Sequence, residues 1–381
     1  MSFERNRLIR VGVAAREYNS DRNIVDFPRQ NSTVRQNFDV FRLLNHLIYR
    51  ISGRSNHCMS NMYFDGNLGF CDVNHFFNKI SFSNRPWITT FETSLPRGMK
   101  NRILCDYAVR RLEHKSCVKL IALSECAAKI QRGFLCENYK YWEECVMDKV
   151  VVMHPPQKVI VEKKQHFNSI GRPLNFVLIG CNLFMKGGRE VLLVFDKLFR
   201  QNKNIKLTIV GRLSYPNYTE AQRNELRSVI NAHPRQISWY EQLPNREVLE
   251  LFKNANVGLL PTWADTYGYT VLEAQACGCP VITTDIGALP EINNDKCGWL
   301  IKVPKNKYGY GVIGNEHERK IFSQCISEQL TAVIGSIVSN PSVVIEKGKK
   351  AVEMIQTMHS PINHGNKLEI LYRKALGLES L

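Results

Sequence analysis

Hydrophobic and polar positions alternate along this chain in two registers. Short, nearly unbroken apolar runs occur at residues 8–15 (LIRVGVAA), 87–90, 118–123, 175–180, 206–211, 237–240, 257–260 and 281–284. Runs of this length, rich in Val, Ile and Leu, predict strands buried on both faces of a parallel sheet. Between them lie longer stretches at helical spacing. Residues 37–51 (NFDVFRLLNHLIYRI) place Phe38, Phe41, Leu44, Leu47, Ile48 and Ile51 on one stripe, which predicts a core-facing helix with Arg42 and Arg50 off the stripe. Residues 97–119 read as a basic helix, carrying Arg97, Lys100, Arg102, Arg110, Arg111, Lys115 and Lys119 against Asp106 and Glu113. The strand–helix alternation over 174–303 predicts a doubly wound parallel sheet with its ligand at the carboxyl ends of the strands.

The densest chemistry falls in residues 254–291. A strand at 257–260 runs into a loop, then a helix over 270–277 that Gly278 stops, with Pro280 just beyond. Gly268, having no side chain, lets the loop come close to a ligand. The N–H groups and positive dipole end at Thr270 and Val271 suit a phosphate. Glu273, one turn in, is within reach of sugar hydroxyls. The plain alternative is structural: Thr270-x-x-Glu273 fits a capping box, and a lone Asp265 is more often a turn residue.

Composition narrows the classes. The chain has 381 residues and a net charge of +16. Length predicts two to three domains. The excess is +8 in residues 1–150 and +8 in the remaining 231, so it is denser in the first part. Such an excess predicts an anionic partner: a membrane surface, nucleic acid or a phosphorylated substrate. No stretch reads as long and apolar enough for a membrane span, and the charged start MSFERNRLIR does not read as a signal peptide. Twelve cysteines without a paired C-x-x-C pattern predict reduced thiols of a cytoplasmic protein and no zinc site.

The 254–291 stretch resembles the signature of retaining GT-B glycosyltransferases of the family-4 type, written E-G-F-G-x-x-x-x-E-A-x-A-x-G-x-P-V-I. Asp265 stands for the first Glu and Tyr267 for Phe. Gly268, Glu273, Ala274, Ala276, Gly278, Pro280, Val281 and Ile282 are in register. Further elements resemble the same family: Asp72, His75 and Asn78 after residue 71, the IALSE run ending at Glu125, KVVVMHPP at 149–156, Lys186-Gly187 and Gly211-Arg212. The chain departs from it at three places. Residues 16–35 hold no Gly-rich turn but carry Arg16, Arg22, Arg29 and Arg35, which either hold an anionic acceptor or form a solvated loop. Cys181 stands where relatives have Arg, and Glu92 where many have His.

The resemblance implies an α/β GT-B fold, two doubly wound Rossmann-like domains facing a cleft. The N-terminal acceptor-binding domain would span 1–156, a linker 157–172, the nucleotide-sugar-binding domain 173–360, and a helix at 361–381 would pack back on the first. It implies an enzyme of the hexosyltransferase type (EC 2.4). Asp265, Lys186 and Glu92 would be catalytic, with Glu92 contacting an acceptor hydroxyl or capping the next helix. Lys186, Gly211, Arg212, Gly268, Tyr269, Thr270, Val271 and Glu273 would bind the nucleotide-diphosphate sugar, which is a substrate, with no cofactor. The acceptor would be a glycan or lipid-linked hydroxyl in cell-surface polysaccharide synthesis. With no Asp-x-Asp, no metal is expected. The basic 97–119 segment would meet an anionic membrane at the inner face. A nucleotide-sugar epimerase and a non-enzymatic binder of anionic polymers are the rival readings; RNA-binding aromatic motifs are absent from the sequence, so nucleic acid is not expected as a partner.

Overall fold

The computed structural model describes residues 7–161, 172–201, 203–213 and 219–378. Two compact units emerge: Met1–Pro156 with His359–Leu381, and Gln157–Met358.

The first unit holds β1 (Ile9–Val13), β2 (Ser32–Gln36), β3 (Met62–Tyr63), β4 (Val73–Phe77), β5 (Ile80–Ser81), β6 (Trp87–Phe91), β7 (Cys117–Ala122) and β8 (Val150–Val152). Six of them form a sheet in the order β2-β1-β4-β6-β7-β8, and β3 pairs with β5 beside it. All pairings are parallel. Successive residues of a strand point to opposite faces. Trp87 and Leu120 accordingly join Phe76 and Phe91 in one core, and Ile88 and Ile121 join Ile9, Val11 and Val73 in another. The Pro361–Ala375 helix covers the second core with Leu368 and Tyr372. Its Glu369 carboxylate accepts from the backbone N–H of Gln30 and Asn31, at 2.9 and 2.8 Å, at the turn into β2. Tyr372 Oη lies 2.7 Å from His75 Nδ1, and Thr90 Oγ1 lies 2.9 Å from Nε2. Burial holds the His75 ring far below its usual pKa, so it stays neutral.

Three expectations are corrected here. The helix is Val40–Ser52, started by the Asp39 side chain on Phe41 N–H and ended by Gly53 at φ 66°. None of its residues is buried. Val40, Phe41, Asn45 and Ile48 are half-buried against the unit: Phe41 meets Phe82, Asn45 bonds Ser60, and Arg42 donates to Ala14 O. Leu43, Leu44, Leu47 and Ile51 stand exposed, so the stripe does not face a core. The basic 97–119 helix is instead a loop, a helix Arg102–Glu113 capped by Asn101, and β7. Arg111 is not a surface cation: it donates to Ser81 O at 2.9 Å, Ser83 O at 2.5 Å and Ser116 Oγ at 2.9 Å. Residues 16–35 are ordered structure in which Arg16 pairs with Asp21 and Asp26, and Arg29 stacks on Phe27.

The second unit holds β9 (Leu174–Asn182), β10 (Ile205–Arg212), β11 (Ile237–Tyr240), β12 (Val257–Leu260), β13 (Val281–Thr284) and β14 (Trp299–Ile301), in the order β11-β10-β9-β12-β13-β14. Every pairing is parallel. This is the doubly wound order, with its reversal between β9 and β12. The Glu316–Ser339 helix is long and apolar enough to cross a membrane by length and composition, contrary to the sequence expectation. Its Phe322, Ile326, Leu330, Ile334 and Ile337 are buried within this unit, a packing stripe at helical spacing. Of the 157–172 linker, residues 162–171 lie outside the described residues; Ile160 and Val161 N–H both donate to Ala276 O. All twelve cysteines are free thiols.

Candidate functional site

The strand order reverses between β9 and β12, and the carboxyl ends of the strands at such a reversal are where these sheets take ligands. β9 leads into residues 183–187, and β12 leads into residues 261–268. The two loops are stitched together. Trp263 N–H and Thr262 Oγ1 both donate to Met185 O, at 2.8 and 2.7 Å. Gly187, at φ 74°, lies so close to Pro261 that a Cβ there would come within 2.2 Å of its carbonyl oxygen. Glu190, only 3% exposed, anchors the pair from below by accepting from Ser323 Oγ at 2.6 Å and Trp263 Nε1 at 3.3 Å. Burial pushes its carboxyl above the usual range.

The result is an ion pair between the two loops: Lys186 Nζ lies 2.5 Å from Asp265 Oδ2. Both side chains keep solvent access, 23% for Lys186 and 13% for Asp265. The other carboxylate oxygen accepts from Tyr267 N–H at 3.2 Å. Gly268, at φ 98°, then turns the chain into the Tyr269–Ala276 helix. Along this segment Asp265, Tyr269, Thr270 and Glu273 remain partly open to solvent, whereas Val271, Leu272 and Ala274 are buried.

Two predictions for this helix are corrected. It starts at Tyr269 with Gly268 as its N-cap and no side-chain cap bond, so Thr270 is already inside it and the Thr270–Glu273 capping box does not form. Glycine supplied the turn that the capping box would have made. Val271 N–H donates to Gly268 O at 2.9 Å and its side chain is fully buried, so Val271 offers no open donor.

The remaining predicted residues are dispersed. Gly211 is a packing glycine: a Cβ there would sit 2.2 Å from Gly180 O and 2.6 Å from Leu183 Cδ2. Arg212, exposed at the end of β10, donates to Gln242 Oε1. Cys181 is exposed at the end of β9. Glu92 belongs to the first unit, at the carboxyl end of β6, where it accepts from Asn78 Nδ2 at 3.2 Å and pairs with Arg97. It does not cap the following helix; Asn101 does. Beside Asn78, a polar cavity of about 470 Å³ is lined by Glu17, Asn19, Arg42, Asn45, Asn78 and Lys79 among others. It lies where β1 and β4 end, the order reversal of the first sheet. Of the other motif residues, His75 is a buried structural group within β4, and Asp72, at the opposite end of that strand, is held by Arg10 and Arg7.

Sequence reasoning missed Glu190, Thr262 and Trp263. A buried Glu four residues after Lys186 carries no pattern of its own, and its partner Ser323 is 133 positions away.

Comparison with known proteins fits this geometry. Residues 161–308 match the family described as glycosyl transferases group 1. That match lies within the second unit and takes in β9 to β14. The chain is 31% identical over 120 residues to D-inositol 3-phosphate glycosyltransferase of Arthrobacter sp. (strain FB24), covering 30% of this chain and 27% of that protein. It is 25% identical over 159 residues to the capsular polysaccharide biosynthesis glycosyltransferase CapM of Staphylococcus aureus, covering 41% and 39%. The matched segments thus span roughly a quarter to two fifths of these relatives' length. Among solved structures, Anabaena Alr3699/HepE in complex with UDP superposes with a TM-score of 0.62 at 10% identity, covering 97% of this chain and all of that one. A glycosyltransferase from Rickettsia africae ESF-5 gives 0.58 at 15% identity, covering 97% and 99%. With two parallel α/β sheets and these neighbours, the glycosyltransferase fold is GT-B.

Proposed function

We propose that this protein transfers a sugar from a nucleotide-diphosphate sugar to a hydroxyl of a glycan or lipid-linked acceptor, retaining the anomeric configuration, in cell-surface polysaccharide synthesis. The observation that carries the reading is the Lys186–Asp265 pair at the strand-order reversal, with Glu273 about one turn into the helix that follows Gly268. Related names support the polysaccharide setting, since CapM is a capsular glycosyltransferase.

In this reading Lys186 leaves Asp265 for the donor diphosphate, where an ammonium serves as a point charge. Asp265, freed, accepts from hydroxyls of the donor sugar, and Glu273 from the ribose. The C1–O bond to the diphosphate breaks as the bond from C1 to the acceptor oxygen forms on the same face. The acceptor proton passes to a diphosphate oxygen, so no separate strong base is required. Charge builds on the leaving oxygens, and Lys186, preorganised by Gly187, Thr262 and Trp263, stabilises it. The reading assigns the acceptor to the first unit, with Glu92, held by Asn78 and Arg97, as the contact for its hydroxyl. No divalent metal takes part, because the chain lacks an Asp-x-Asp element.

The test is incubation with UDP-sugars and oligosaccharide acceptors in chelator, with the anomeric coupling of the product read by proton NMR. An α-linked product from an α-linked donor is expected. A β-linked product removes retention, and activity only after manganese or magnesium is restored removes metal independence.

A further inference from the structure

The Val40–Ser52 helix presents a feature that sugar transfer does not use. Leu43, Leu47 and Ile51 follow one another at four-residue steps, with Leu44 beside them, and all four face solvent: Ile51 is 88% exposed, Leu43 47%, Leu47 45% and Leu44 40%. An apolar stripe four side chains long on a helix that could have packed is unusual in a water-facing element. Immediately before the helix, Phe38 is exposed as well, and it lines a mainly apolar groove with Leu68 and Phe70, both largely exposed.

Charge identifies the occupant. Between Asp39 and Asp65 the chain holds no Asp or Glu, while Arg42, Arg50 and Arg54 all fall in that interval. Arg42 reaches back to Ala14 O, but Arg50 and Arg54 are exposed. Helical spacing puts His46 and Arg50 along one border of the apolar stripe, and the packed edge of Phe41, Asn45 and Ile48 along the other. A helix with leucines on one face, cations at its border and no acidic residue fits the headgroup–acyl boundary of a bilayer. The Gly53 turn ends it after 13 residues, too short to span.

We propose that the Val40–Ser52 helix docks this protein on an anionic lipid surface, lying in the interface with Leu43, Leu44, Leu47 and Ile51 in the acyl boundary and Arg50 and Arg54 on the lipid phosphates. The inference stands apart from the sugar-transfer reading, because it needs no donor or acceptor. It also reassigns the membrane-facing role from the 97–119 segment, whose Arg111 is spent on three acceptors inside the unit.

The experiment is sedimentation of the full chain with vesicles of phosphatidylcholine alone or mixed with phosphatidylglycerol, at low and high salt. Binding to the mixed vesicles, reduced by salt, is expected. In Leu43→Glu/Leu47→Glu the partition coefficient should fall at least about tenfold, since two apolar anchors become charges that anionic lipid repels. Arg50→Glu/Arg54→Glu should weaken binding at low salt and less so at high salt. These side chains are exposed, so circular dichroism and calorimetric binding of a nucleotide sugar should be unchanged. Wild-type protein remaining in the supernatant overturns the proposal. So does equal binding by the leucine variant. Dimerisation through the helix in sedimentation velocity, without vesicle binding, assigns the face to a second copy and also overturns it.

Discussion

Gly180 offers a sharp test of the Lys186 assignment because it acts on the lysine without touching its charge. Gly180 sits near the end of β9, and its φ is not among the positive values of the chain, so alanine can adopt its backbone. A Cβ there would lie 2.5 Å from Lys186 Cγ, 3.2 Å from its Cβ and 3.4 Å from its Cδ. Carbon contacts settle at about 3.5–4 Å, so the lysine stem must retreat by about 1 Å. The amine, now 2.5 Å from Asp265, moves with it. Overpacking costs about 1–3 kcal/mol, and the low end applies where a partly exposed, flexible stem gives way. A misplacement of about 1 Å can cost about 10²-fold in rate. Gly180→Ala should therefore melt within a few degrees of wild type while kcat falls by about 10–10²-fold. Lys186→Ala should lose about 10²-fold or more, as for one preorganised donor. If Gly180→Ala works through Lys186, the double variant should be no slower than Lys186→Ala alone. Wild-type turnover in Gly180→Ala, or full additivity in the double variant, would refute the reasoning.

Other outcomes follow from the same geometry. Glu273→Gln should weaken nucleotide-sugar binding about tenfold in calorimetry, since a hydrogen bond to a charged group is worth about 1.5–3 kcal/mol; unchanged affinity would leave Glu273 a purely local role. His359 and His364 are buried and held at about 4, below their unfolded value. The unfolded chain therefore binds protons first as pH falls, and stability should be full above about 6.5 and drop progressively toward pH 4, as urea melts across that range would record. Arg111→Ala strands three acceptors of the first unit and should cost about 2–4 kcal/mol of stability with no change in vesicle binding; the reverse pattern would return the membrane role to the 102–113 helix.

Much of the fold was legible in the sequence because parallel strands buried on both faces read as unbroken apolar runs. Residues 257–260 and 281–284 coincide with β12 and β13. The Val40–Ser52 helix shows where such reading stops. Its periodicity predicted an amphipathic helix correctly, but periodicity does not say whether the apolar face meets protein or something else. The candidate site's paired residues, Lys186 and Asp265, were legible in the sequence, and its support was not. Glu190, Thr262 and Trp263 hold the two loops through contacts dozens of residues apart, which no local pattern encodes. The capping-box reading failed for a specific reason: Gly268 at φ 98° began the helix one residue before the side chain that could have capped it.

The central claim is that a nucleotide-diphosphate sugar binds on the Lys186–Asp265 pair of the second unit. Calorimetric titration of UDP-glucose and other nucleotide sugars into wild type, Lys186→Ala and Leu47→Glu, all in chelator, tests it most directly. The account predicts saturable binding of at least one donor by wild type, a loss of about tenfold or more in Lys186→Ala, and no change in Leu47→Glu. Absence of binding by every nucleotide sugar, or equal affinity in Lys186→Ala, would contradict it.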